Sequence, residues 1–364
     1  MHIIKKIFKE IKQSLVADYK IYINADDLKL FMEPLKYNNT NIDMQNFKER
    51  QEKSLEIIKK ILDIHGKADI LKYLAKLALI EPGIQKLQPW VRDHVVHAIN
   101  TFLVGVYILE NIKFSHNRTN KDLRFIWKIT GPTHDLGYTL EVANNIVKND
   151  FVGVTNGILN EIDTSSPRLS YLMPRDIENL NILCDNVNAN VLIQKRLHEW
   201  KLKINVKNYY KLLKKKAKVD HGIIGSLAQL KIIDAIYNKI NPDKKCVPIT
   251  YNGLDFNQKN FNLDIISSAS ALFLHNIDFK YKISFKDSPI AFLLVLCDTF
   301  QEWDRYSENR KVYSGNDFNI FCSNNEIHLI VPDEIKTIMV KKLSKRLIGL
   351  DVLVNEKLAV RRKS

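Results

Sequence analysis

Glycine and proline are scarce in this 364-residue chain. It carries 12 Gly and 10 Pro, where ordinary usage is about 7% and about 5%. So few turn formers argue against an all-β sandwich and favour helices. Cysteine is scarcer still. Cys184, Cys246, Cys297 and Cys322 lie far apart and form no C-x-x-C pair, which excludes a disulfide framework or a zinc ribbon and fits a reducing compartment. Long apolar runs are missing as well. The longest, Ile290 to Cys297, is far short of the roughly 20 residues that span a bilayer. The opening Met1-His-Ile-Ile-Lys-Lys turns polar before any signal-peptide core is built. A cytoplasmic protein is expected, neither secreted nor membrane-bound.

What the chain does have is apolar mass, with 16 Phe, 14 Tyr, 4 Trp and a hydrophobic share of 45%. That is enough for a sizeable core and excludes disorder as the main state. The net charge of +14 is concentrated. Residues 201–218 hold eight Lys and no acid, and residues 341–364 hold eight Lys or Arg against Asp351 and Glu356. These two segments account for the whole excess. Each reads either as a solvated face or tail, or as a contact for a polyanion such as nucleic acid.

Helical spacing dominates the pattern. Residues 1–88 read as an N-terminal helical segment, with apolar residues recurring at 57–62 and 71–78 before Pro82-Gly83 ends it. Further helices are expected over 90–111, 121–130, 136–147, 205–217, 220–238, 264–275 and 288–305. The last has Ser288 as a cap and Pro289 in its first turn. Residues 150–200 are mixed, with a loop-like 163–168, and residues 241–262 read as a long loop. After Gly315 the pattern becomes a hairpin, 318–321 and 326–331 about a turn at 323–325, followed by a helix over 333–347. The division expected is 1–88, a core at 89–306 with an insertion at about 145–215, and a small α/β appendage at 315–364.

Several apolar helical stretches carry a polar residue that their pattern does not call for. His94 and His97 stand three apart in Arg92-Asp-His-Val-Val-His97, so one helix face should present both. His134 and Asp135 are adjacent, His221 opens one helical stretch and His275 closes another. Asp298 ends eight consecutive apolar residues, where a carboxylate is costly to bury without a partner or a metal. A lone His on an apolar helix is more often a hydrogen-bonded core residue than a ligand. The set carries more weight, because side chains from several helices can converge in a bundle core. Neutral imidazole with carboxylate suits Mn, Fe, Co, Ni or Zn, and Mg less well. The lack of a thiolate partner argues against structural zinc.

The order His … His-Asp … His … His … Asp on successive helices resembles the HD-domain superfamily of metal-dependent phosphohydrolases. The resemblance runs from about Arg92 to Arg305, and its closest local matches are Thr133-His-Asp-Leu-Gly137 and Leu294-Val-Leu-Cys-Asp-Thr-Phe300. It implies a mainly α, HD-domain-like helical bundle with an inserted segment, and one or two divalent ions. His97, His134, Asp135 and Asp298 would bind the first metal. Either His94 or His97 fits as its first ligand, and His97 is preferred, leaving His94 as general acid or as support for a ligand. His221 and His275 match positions that bind a second metal or the phosphate in other relatives. The chain departs from many relatives at Tyr138, where they carry Lys after His-Asp-x-Gly.

The function so implied is hydrolysis of a nucleotide or other small phosphate ester by metal-activated water. Asp135 could bridge two metals, and Arg92 or the lysines of 201–218 could clamp other phosphates. Arg305 reads as a helix-end charge. A nuclease acting on single strands through segments 201–218 and 341–364 is the alternative of the same chemistry. A non-catalytic module that binds a nucleotide or a partner is the alternative of a different class.

Overall fold

The helical spacing is realised as helices. The computed structural model describes residues 1–13, 25–33, 37–38, 41–42, 44–61, 92–112, 120–135, 137–138, 141, 181–182, 187–215, 220–240, 249–251, 254–256, 264–277, 281–305, 311–323, 326–348, 351–352 and 358–360. In chain order the helices are α1 (Ile3–Gln13), α2 (Ala25–Met32), α3 (Met44–Ile61), α4 (Val95–Asn111), α5 (Asn120–Thr130), α6 (Ala189–Glu199), α7 (Val206–Lys215), α8 (His221–Ile240), α9 (Ile266–His275), α10 (Pro289–Phe300) and α11 (Asp333–Arg346). The described strands are short, of two to five residues each, and the chain is mainly α. No helix among the described residues is long and apolar enough to cross a membrane. The helix expected at 71–78, most of that at 136–147 and the loop at 163–168 lie outside the described residues. Contacts divide the chain into two compact units, Met1–Thr133 with Asp278–Ser364, and His134–Ile277. The division falls inside the stretch 89–306 read as one core.

In the first unit α4 is the central element. Every residue from Val95 to Leu109 is buried, as expected of a helix that is apolar all round. It packs on α1, α3, α5, α10 and the 3-10 turn Gly131–Thr133. Gly105 is required there. A Cβ at this position would fall 2.1 Å from the Trp127 ring, whose indole N–H donates to the Phe102 carbonyl at 2.9 Å. α4 starts at Val95 rather than near Trp90, because Asp93 caps it: the Asp93 carboxylate accepts the N–H groups of Val96 (3.4 Å) and His97 (3.2 Å). On α10 every residue is buried except Asp298. Pro289 takes the first turn as expected, but Ser288 does not cap with its side chain. Its hydroxyl turns back to donate to the Ser284 carbonyl at 3.0 Å.

The C-terminal hairpin exists, with strands Asn319–Ser323 and Glu326–Ile330. It is not two-stranded. Leu358–Val360 pairs antiparallel with Glu326–Ile330, and Asp351–Val352 pairs with Leu358–Val360, which makes a four-stranded sheet. A lone hairpin is marginal in water, and the added strands supply ladder partners. Leu347–Ile348 pairs in parallel with Ile283–Ser284. α11 packs on α10 and buries Met339 and Leu343.

In the second unit α8 lies along α9, and all ten residues of α9 are buried. α7 carries part of the basic run. Val206, Tyr210 and Leu213 are buried while Lys207, Lys211 and Lys215 are exposed, which is an amphipathic helix with a solvated face. Asp220 caps α8 by accepting from Gly222 N (2.9 Å) and Ile223 N (3.3 Å). The Tyr209 hydroxyl donates to the same carboxylate at 3.2 Å, tying α7 to the start of α8. The stretch expected as a long loop at 241–262 contains an antiparallel pair, Ile249–Tyr251 with Leu254–Phe256. Asn252-Gly253 between them is the usual two-residue hairpin signature.

Candidate functional site

The four residues expected to share one metal are divided between the units. His97 and Asp298 belong to the first, His134 and Asp135 to the second. In the first unit, Asp298 and Gln301 stand three apart at the end of α10, and both reach His97 in the first turn of α4. His97 Nε2 lies 2.9 Å from Asp298 Oδ1 and 3.5 Å from the Thr101 hydroxyl. His97 Nδ1 is hydrogen-bonded to Gln301 Oε1. The Gln301 amide has a definite orientation, because its Nε2 donates to the Trp303 carbonyl at 2.7 Å. The oxygen therefore faces the ring, so each nitrogen of His97 has an oxygen acceptor opposite it, Gln301 Oε1 at Nδ1 and Asp298 Oδ1 at Nε2.

His97 belongs to α4, and His94 stands one residue before it. His94 precedes α4 as its N-cap, buried, with its carbonyl accepting Ala98 N at 3.0 Å. Arg92, a candidate phosphate clamp, is engaged inside the fold with Glu302 at 2.5 Å. Burial works to raise the Glu302 pKa, but Arg92 and then Arg305 outweigh it and hold the carboxyl below its usual range. Arg305 also donates to the Asp93 carbonyl at 3.4 Å. These arginines thus join the end of α10 to the start of α4. Burial pushes the Cys297 pKa well up, with Asp298 adding to it, so this residue is a thiol and not a ligand thiolate.

The second unit gathers His134, Asp135, His221 and His275. His221 Nε2 and His275 Nε2 are 2.9 Å apart, and Asp135 Oδ1 lies 3.8 Å from the first and 3.7 Å from the second. His134 sits beside them, with Nε2 3.3 Å from Asp135 Oδ2 and its ring edge-on to His275 at 5.7 Å. Two glycines permit this. A Cβ on Gly137 would lie 2.1 Å from the His221 carbonyl oxygen, and one on Gly222 would lie 2.6 Å from the Leu272 carbonyl oxygen. Backbone thus approaches backbone where His221 and His275 meet. Tyr138, the departure from the family pattern, packs its ring edge-on to His221 at 5.7 Å.

The hydrogen bonds fix both tautomers. His275 Nδ1 is 2.7 Å from the Leu272 carbonyl, which only accepts, so this nitrogen bears hydrogen. His221 Nδ1 is 2.5 Å from Glu141 Oε2, and the same oxygen accepts the His221 backbone N–H at 2.9 Å. Its Nδ1 is a donor too. Asn276 Nδ2 lies 3.2 Å from the same ring nitrogen, a longer contact to a neutral group, so the charged Glu141 oxygen at 2.5 Å decides the tautomer. Both Nε2 atoms are then left with lone pairs that face each other and a carboxylate, an arrangement that needs a proton or a cation in its midst. Burial works to lower the His221 pKa, but Glu141 and Asp135 outweigh it and raise the value to about 9. In the metal-free chain a proton on His221 fills that place.

The donor set also fits a divalent ion. The ligand atoms of Asp135, His221 and His275 lie within 4.8 Å of one another. Their three separations leave a point about 2.0 Å from each, the bond length of first-row ions to imidazole nitrogen and carboxylate oxygen. With no thiolate, the set suits Mn, Fe, Co, Ni or Zn. Two residues here escaped the sequence reading. Glu141 lies one turn beyond Gly137, its N–H bonded to the Gly137 carbonyl at 3.3 Å. Gln301 follows Asp298 at helical spacing, and that spacing was the available signal.

No family model, no curated protein and no solved structure matches this chain.

Proposed function

We propose that the chain is a metal-dependent phosphohydrolase of the HD-domain kind, acting on a nucleotide or other small phosphate ester. The observation that carries the reading is the convergence of two imidazole Nε2 atoms on the Asp135 carboxylate, with the Nδ1 atom of each ring engaged by an acceptor. Asp135, His221 and His275 are the ligands this convergence favours. His97, His134 and Asp298 join them on the order of residues along the chain. A divalent ion so held supplies Lewis-acid charge and brings the pKa of a water towards neutrality.

The chain's own residues perform the remaining roles. Asp135 supplies the negative charge that offsets the ion. Glu141 and the Leu272 carbonyl hold the His221 and His275 rings with Nε2 directed inward. Positively charged groups would neutralise the equatorial oxygens of the phosphoryl group during in-line attack. A second reading, in which the ester belongs to a single-stranded nucleic acid, draws on the exposed row Lys207, Lys211 and Lys215 of α7.

The test is metal content by mass spectrometry, with hydrolysis of p-nitrophenyl and bis-p-nitrophenyl phosphate, for wild type and Asp135→Ala. One or two equivalents of transition metal with turnover, both lost in the variant, is the expected result. Metal and turnover unchanged in Asp135→Ala would refute the mechanism. Full metal occupancy with nucleotide binding and no turnover would favour the regulatory module.

A further inference from the structure

We propose that Gln301 is the positioning residue that presents His97 to a metal through Nε2. The inference rests on the metal-centre reading above, and it concerns a residue to which that reading gives no role.

A neutral imidazole has one N–H and one lone pair, and the partner of one nitrogen decides which lies where. The α10 terminus grips both nitrogens of His97, Asp298 Oδ1 at Nε2 (2.9 Å) and Gln301 Oε1 at Nδ1. Only one of these contacts can receive the single hydrogen of the neutral ring. Asp298, being charged, is the stronger acceptor and would draw it to Nε2, closing that nitrogen to a metal. Gln301 works the other way. It is fully buried, its amide is held by the Trp303 carbonyl at 2.7 Å, and its oxygen has the Nδ1 hydrogen within reach in an orientation it cannot reverse without losing that bond. The hydrogen kept at Nδ1 leaves Nε2 and Asp298 Oδ1 as two neighbouring donors to a cation. Such supporting contacts on metal-bound histidine are typically worth about 10–100-fold in affinity.

The test uses the full chain with 15N-labelled histidine, stripped of metal and held at alkaline pH so that the ring is neutral. Wild-type His97, assigned by comparison with His97→Gln, is expected to carry hydrogen on Nδ1. Hydrogen on Nε2 overturns the proposal without any variant needing to fold. Gln301→Leu removes the acceptor at nearly constant volume. It is expected to move the hydrogen to Nε2 and weaken Co2+ binding about 10–100-fold, while Gln301→Glu, which still accepts at Nδ1, keeps the wild-type tautomer and binds within about 10-fold. A purely structural role would lower thermal stability in both variants and leave the tautomer alone. If wild type binds Co2+ and Gln301→Leu binds it equally well, this inference fails and the metal reading survives. If wild type binds no Co2+, Mn2+ or Zn2+, it is the metal reading that fails.

Discussion

Replacing Gly222 by Ala sets two effects of known sign against each other. Gly222 is the second residue of α8, and in a helix Ala is favoured over Gly by about 1 kcal/mol. Propensity alone therefore makes the variant more stable. Packing opposes it. The added Cβ would lie 2.6 Å from the Leu272 carbonyl oxygen and 3.2 Å from Asp220 Oδ1 and His275 Nδ1. The nearest obstacle is backbone, which cannot swing aside. Reaching an ordinary carbon–oxygen contact requires α8 and α9 to part by about 0.7–1 Å. Overpacking of that kind costs about 1–3 kcal/mol, and the displaced helices carry His221 and His275. Packing outweighs propensity over most of that range, with a net loss of up to about 2 kcal/mol. The ligand triangle should also suffer, since a metal site tolerates only about 0.2 Å in its bonds. Urea unfolding followed by circular dichroism gives the stability, and Co2+ titration gives the affinity. A Gly222→Ala chain that is more stable than wild type and binds Co2+ as tightly would refute this account of why the helices meet as they do.

Glu141→Leu should weaken metal binding by about 10-fold or more, and Glu141→Gln should hold it closer to wild type, because only the amide still accepts from His221 Nδ1; equal affinity in the two variants would remove Glu141 from the site. Glu302 has its pKa lowered in the fold, so its contribution is complete above the ordinary carboxyl pKa of about 4.3 and disappears as pH falls through the lower folded value. Glu302→Gln should lower stability by about 1–3 kcal/mol at neutral pH and flatten the acid limb of the stability profile; an unchanged acid limb would show that the Arg92 pair is inert. Burial, with Glu10 adding to it, raises the Cys322 thiol to about 12. At pH 8 its alkylation, mapped by mass spectrometry, should run at least about 100-fold slower than in the urea-unfolded chain, and equal rates would contradict that burial.

The parts legible in the sequence are those where one physical signal had no competitor. α4 and α10 are apolar on every side, so their helical state and their central position follow from composition. Against that background His97 and Asp298 stand out because nothing else polar explains them. Where signals compete the reading falls short. Leu358-Ala-Val360 sits in a basic tail whose charge says solvent, yet the backbone of Glu326–Ile330 offers it a ladder. Ile249–Tyr251 and Leu254–Phe256 are each three residues long, too short for periodicity, and only Asn252-Gly253 marks them. His94 looks equivalent to His97 by spacing, but the Asp93 cap decides where the helix begins and leaves His94 outside it.

Gln301 and Glu141 were illegible for a different reason, and it bears on how a histidine cluster should be weighed. A sequence supplies imidazoles without tautomers, so a buried His that is a satisfied core donor looks identical to one that is a ligand. What separates them is the partner of Nδ1. For His97, His221 and His275 the nearest such partner is Gln301 Oε1, Glu141 Oε2 and the Leu272 carbonyl, an acceptor each time, with Asn276 Nδ2 farther from His221 Nδ1 at 3.2 Å. Core histidines satisfying only themselves would spread their hydrogen bonds over both nitrogens, with a donor as the nearest partner of at least some Nε2 atoms, nearer than the 3.5 Å at which the Thr101 hydroxyl lies from His97 Nε2. Here the Nε2 atoms face carboxylates and each other. An apolar core gains nothing from that concentration of lone pairs. In the second unit it calls for positive charge, which a proton provides at His221 in the metal-free chain and which, on the metal reading, a divalent ion held by Asp135, His221 and His275 would provide.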